Sequence, residues 1–134
     1  MKSLPIIVVV VLSGCVHTNY TQLSLAQRLV GTWYYSDRGT NHHDRKSCLF
    51  KESGKVECDV EEGNFFANGF GEAHFHKTTG SWHIYKTQLT VIEAPTYSPN
   101  NVHTWKMKVD KLTQNQMILL NEQAYREVWQ KVTD

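Results

Sequence analysis

The chain lacks most of the patterns that announce chemistry. It has no Gly-x-Ser-x-Gly turn, no Gly-rich phosphate loop ahead of a helix, and no paired-carboxylate signature. Nothing in the residues therefore supports an enzyme, and none requires a cofactor. No basic run is longer than two, and 14 Lys and Arg face 13 Asp and Glu. A chain so near neutrality has no long-range attraction for nucleic acid. No apolar stretch reaches the ~20 residues of a membrane-spanning helix. There is no internal repeat and no long helical periodicity, and the 134 residues suffice for one domain.

What is present begins with a leader. Met1-Lys2-Ser3 is a short basic start, and Leu4 to Leu12 is nearly all apolar. That combination is a secretory signal peptide covering residues 1–14. Its end, Leu12-Ser13-Gly14-Cys15, resembles a bacterial lipobox. The resemblance implies cleavage before Cys15, a diacylglyceryl thioether on its sulfur and acylation of the new amine. Two or three acyl chains at ~0.8 kcal/mol per buried methylene make a stable anchor. Val16, rather than Asp, follows the cysteine. By enterobacterial sorting rules this implies the outer membrane, in a cell that has one, with the protein facing the periplasm and surface display as the alternative. Residues 15–22 then read as a lipidated tether and 23–134 as the folded domain. Losing the leader removes one Lys and no acid, so the mature charges balance.

With Cys15 assigned to lipid, Cys48 and Cys58 remain, an even number in an oxidising compartment. Between them, Glu52-Ser53-Gly54 suits a three-residue hairpin loop with Gly54 in the left-handed position. Folding there sets Phe50 opposite Val56 and Cys48 opposite Cys58. Opposed residues lie ~4.5–5.5 Å apart at Cα, within the range a disulfide requires. Nine intervening residues match neither a redox pair nor common zinc spacings.

The remaining chain reads as short strands. Ser24 caps a brief helical turn through Leu29, and a strand follows over Thr32–Ser36, with turn chemistry from Asp37 to Asn41. After Gly54, Val56, Cys58 and Val60 share one face; Lys55, Glu57, Asp59 and Glu61 share the solvated other. Glu62-Gly63-Asn64 breaks the pattern, and Phe65 to Gly71 reads as a bulged strand or a loop over the mouth of a barrel. Ala73–Lys77 and Ser81–Lys86 flank a hairpin loop at Thr78-Thr79-Gly80; Gln88–Glu93, Val102–Asp110, Gln116–Leu120 and Ala124–Val132 follow. Eight to nine closely spaced strands suit an all-β, antiparallel up-and-down barrel, with an open sandwich as the alternative.

Gly31-Thr32-Trp33, at the first strand of such a chain, resembles the opening of a lipocalin-type barrel. The resemblance implies that Trp33 closes the base of the barrel and that an Arg of the last strand packs over its ring. Arg126 is the residue offered, for a gain of roughly 0.5–2 kcal/mol. It also implies binding of a small hydrophobic or amphipathic ligand. The alternative is an envelope interaction module, an inhibitor, chaperone or accessory subunit, whose barrel is filled by side chains. A cavity of roughly 300 Å³ or more favours the first. Candidate ligand contacts are His74, His76, Trp82, Ile84 and Trp105, the first four placed on one inward face by the expected hairpin. Phe65, Phe66, Phe70, Tyr85 and Met107 are further candidates for the wall. His42-His43 diverge in an extended chain and make a poor chelate, and His74-x-His76 lacks a third donor, so no residue is assigned to a metal.

Overall fold

A computed structural model describes residues 20–39, 42–65 and 71–133. The leader, Cys15, Phe66 and Phe70 lie outside the described residues, as does the side chain of Phe65. The rest is one closed antiparallel barrel with strands in chain order. They are β1 (Gly31–Arg38), β2 (His42–Phe50), β3 (Lys55–Phe65), β4 (Gly71–Tyr85), β5 (Gln88–Pro95), β6 (His103–Leu112), β7 (Gln116–Leu120) and β8 (Arg126–Lys131). β8 returns to pair with β1 at Trp33↔Lys131 and Tyr35↔Trp129, which removes the open edge of the sheet.

Ahead of β1 stands α1 (Leu25–Leu29), entered through a capping box in which Ser24 and Gln27 satisfy each other's backbone N–H. A 3₁₀ turn at Tyr20–Gln22 precedes it, in what the sequence suggested was tether. It is held to the helix by the Arg28 guanidinium, 5.5 Å from the centre of the Tyr20 ring. Leu29 is fully buried, and its carbonyl accepts a 2.8 Å hydrogen bond from Nε1 of Trp33. The helix thus plugs one end of the barrel, and Trp33 forms its floor.

The β2–β3 hairpin has the expected register. Cys48 pairs with Cys58 and Phe50 with Val56, Gly54 turns the chain at φ 88°, and the two cysteines are joined as a disulfide. The expected hairpin at Thr78-Thr79-Gly80 does not exist. These residues lie inside β4, one strand of 15 residues, so there are eight strands. Gly80 is there for a different reason. A Cβ at this position would overlap the carbonyl oxygen of Ile92 and lie 2.8 Å from Cα of Glu93. It lets β4 approach β5 closely while still pairing with β3 at Val56↔Gly80. Two other expected breaks are also strand: β1 runs past Asp37 to Arg38, and β3 runs through Glu62-Gly63-Asn64.

Along most strands, β7 excepted, the inward positions change character from floor to mouth. Near the floor Trp33, Phe50, Val56, Leu89 and Met117 are fully buried. Two or three inward positions further on stand Asp37, Asp44, Glu62, Pro95 and Glu127. This gradient leaves a packed lower half and an open upper half.

Candidate binding cavity

The upper half encloses a cavity of about 570 Å³. One wall is aromatic: Tyr35 stacks on Trp129 with ring centres 5.2 Å apart, and Trp129 on Trp105 at 6.5 Å. Cross-strand pairing makes the first contact, since Tyr35 and Trp129 are directly opposed between β1 and β8. Buried indole Nε1 atoms of both Trp105 and Trp129 lack an acceptor. Met107 and Val60 add apolar surface, and His76, edge-on to Tyr97 at 5.8 Å, stands by the mouth.

The opposite wall carries an ion pair. Glu93, 7% exposed, accepts a 2.6 Å hydrogen bond from Nζ of Lys46, and its second oxygen accepts one from Thr78 at 3.2 Å. The Cys58 sulfur, oxidised and so without a hydrogen to donate, lies 3.5 Å from that same oxygen. The Lys46 ammonium also sits 4.8 Å above the Trp105 ring, linking the two walls. With both charges satisfied, the pair tolerates its burial; removing either partner would strand the other.

Nearer the mouth the balance is acidic. Burial raises the Glu127 carboxyl above its ordinary range, the field of Asp37 adds to this, and Lys46 partly offsets it. Burial, then the fields of Glu127, Asp37 and Asp44, push the Tyr35 hydroxyl up to about 12. Asp37, His42 and Asp44 hold ligand atoms within 4.8 Å of one another, the one group of three described side chains able to share a metal ion. Within it, His42 Nε2 lies 3.1 Å from Asp37.

The five ligand candidates are divided by the fold. His76 and Trp105 line the cavity. His74 is exposed at the rim, paired with Glu62. Trp82 and Ile84 lie at the opposite end. Trp82 packs edge-on to Phe50 at 5.5 Å and donates to the Lys51 carbonyl at 2.9 Å, and Ile84 packs against the core. All four residues of β4 do share the inward face. Because β4 does not turn, however, His74 and Ile84 are separated by roughly 33 Å of extended chain. Tyr85, another wall candidate, is 68% exposed.

Arg126 does not reach Trp33. It pairs with Leu120 at the far end of β8 and is exposed. Lys131 occupies the position instead, directly opposite Trp33. Its Nζ lies 4.7 Å over the Trp33 ring and donates to the Val30 carbonyl at 2.6 Å. Gly31 makes room: at φ 129°, a Cβ there would lie 2.6 Å from that ammonium.

Lys46, Glu93, Glu127, Trp129 and Tyr35 were absent from the sequence candidates. Alternation alone could have found Glu93, which shares parity with Leu89 and Val91, but an acid was not expected inside.

No protein-family profile and no curated protein sequence matches the chain. Among solved structures it is similar to Japanin from Rhipicephalus appendiculatus bound to cholesterol, a tick lipocalin. The two share 13% identity and a TM-score of 0.53, over 82% of this chain and 80% of that one. The fold is lipocalin-like. At this identity the likeness speaks to architecture: a closed eight-stranded barrel, floored at one end and open at the other.

Proposed function

We propose that this protein is a lipid-anchored cell-envelope lipocalin-like protein that holds a small hydrophobic or amphipathic molecule in the open half of its barrel. The observation that carries the reading is the cavity. Its volume of about 570 Å³ falls within the range typical of small-molecule sites, ~300–1,000 Å³. It combines a three-ring aromatic wall with a few fixed polar groups, as such sites do. A barrel serving only as a protein-interaction module would have no need to leave this space unfilled. Japanin's complex with cholesterol is an instance of an apolar ligand on this architecture. Binding, rather than catalysis, is the role this supports.

Anchoring through Cys15 would place the mouth of the barrel in the envelope, at the periplasmic face of the outer membrane.

The test uses the chain from residue 16 onward, since the strands, helix and core described above all lie within residues 20–133. Titration with the neutral fluorophore N-phenyl-1-naphthylamine should give saturable binding, weakened about tenfold or more by Trp105→Ala, while Tyr85→Ala on the outer surface leaves it unchanged. Absence of binding, or equal binding by both variants, would defeat the reading. For the anchor, Cys15→Ser in the full chain should abolish fatty-acid labelling and release from membranes should follow.

A further inference from the structure

The mouth of the cavity carries charges that an apolar ligand would not require. Asp37 and Asp44 are directly opposed across β1 and β2, and Asp44 and Glu62 directly across β2 and β3. Glu127 stands on β8 on the other side of Asp37, close enough to feel its field. Four carboxylates thus follow one another around the inner rim over four adjacent strands. Like charges directly opposed across a sheet destabilise it.

Among the described residues, the neutralisation of this arc is partial: His42 Nε2 lies 3.1 Å from Asp37, and the field of Lys46 offsets part of the rise at Glu127. Among the described residues, Arg45 and Lys46 line the cavity together with His76 and His103. Lys46 is held by Glu93 at 2.6 Å. Arg45 donates to His43 at 2.8 Å and has Glu61 at 3.8 Å. Among the described residues, Asp44, Glu62 and Glu127 have no ion-pair partner. Below the arc is a wall already suited to positive charge, since the Lys46 ammonium rests on the face of Trp105. In that wall Trp129, 2% exposed, has an indole N–H with no acceptor, a buried donor left for a water or for an oxygen or ring face on an occupant's body to satisfy.

We propose that the cavity selects a positively charged amphipathic ligand, an apolar or aromatic amine or quaternary ammonium compound, with its body against Tyr35, Trp129 and Trp105 and its cationic end at Glu127 and the rim carboxylates. This rests on the ligand-binding reading above and narrows it to a chemical class. A cation at this place relieves the repulsion along the arc and gains from the faces of the aromatic rings. A fatty-acid carboxylate would add a further negative charge to the arc, and a neutral alcohol could gain a hydrogen bond from it but no charge attraction. A bare divalent ion could sit at Asp37, His42 and Asp44, but would leave the aromatic wall and most of the cavity unused.

The experiment is displacement of N-phenyl-1-naphthylamine, at low ionic strength, by three ligands of one chain length: dodecyltrimethylammonium, dodecanol and dodecanoate, each below its micellar concentration. The expected order is cation, then alcohol, then carboxylate, with the cation at least about tenfold better than the alcohol. Glu127→Gln, and independently Asp44→Asn, should reduce the ratio of cation to alcohol affinity by several fold, each ratio being taken within one protein. If the fluorophore binds but all three ligands displace it equally, the inference fails and the ligand-binding reading stands. If the fluorophore does not bind, that reading fails and the inference with it. If zinc or calcium alone binds the parent protein and abolishes the cation's advantage in both order and magnitude, the arc is a metal site and the inference is overturned.

Discussion

Replacing Lys131 with methionine tests the floor of the barrel. The side chain keeps most of its apolar stem and loses the ammonium. Two interactions go with it: the 2.6 Å hydrogen bond to the Val30 carbonyl and the contact 4.7 Å above the Trp33 ring. A hydrogen bond from a charged donor contributes about 1.5–3 kcal/mol, and a cation–π contact about 0.5–2. Against these stands the cost of holding the ammonium away from water, which also draws the Lys131 pKa below its ordinary value. The net loss expected is about 1–3 kcal/mol, or roughly 4–12 °C in Tm for a domain of this size. Arg126→Met is the control. Arg126 is exposed at the other end of β8, so its loss should cost less than about 0.5 kcal/mol. Urea denaturation followed by tryptophan fluorescence reads both. If Lys131→Met were neutral and Arg126→Met costly, the assignment of the floor contact would be refuted.

Three further outcomes follow from the same geometry. The Cys48–Cys58 bond closes a loop of sequence separation 10, for which chain entropy gives about 2.7 kcal/mol; reduction should lower Tm by about 10 °C, and a change under 3 °C would contradict this. Gly80→Ala should cost more than about 3 kcal/mol, because the added carbon meets main chain of β5, which cannot move without opening the barrel; Gly54→Ala has room and only an unfavourable φ of 88°, so about 1–2 kcal/mol is expected. Both are measured by denaturation, and equal losses would argue against the close approach of β4 to β5. Glu127 has a folded-state pKa above its ordinary 4.5. Its contribution to stability is therefore present below that value and lost as pH rises through the folded pKa. Glu127→Gln should gain stability relative to the parent as pH rises from about 4 to about 7. Glu57, held low by the hydrogen bond from Lys51, acts in the opposite sense in both proteins, so the difference between them is the readout. A flat difference would refute the burial of Glu127.

How much of this was legible beforehand differs by element. The β2–β3 hairpin could be read to the residue, because a Gly-ended loop between two alternating runs leaves one register, and the cysteines confirm it by facing each other. The helical turn before β1 was legible for a similar reason: Ser24 and Gln27 are a local capping box, satisfied within four residues. The Thr78-Thr79-Gly80 segment misled because glycine has two uses in a sheet. It permits a turn, and it permits close approach of another strand. Local sequence cannot distinguish these; the position of β5 does.

The sequence by itself determined the all-β class, the period-two faces and the disulfide, since each depends on neighbours in the chain. Tertiary structure alone decided which basic residue meets Trp33 and which polar residues share the cavity. Lys131 was chosen over Arg126 by the register in which β8 returns to β1, a contact between residues 98 positions apart in Trp33↔Lys131. Lys46 and Glu93 became partners because β2 and β5 face each other across the barrel. A buried carboxylate in an apolar strand looks like an error until its counter-ion, 47 residues away, is brought within 2.6 Å of it.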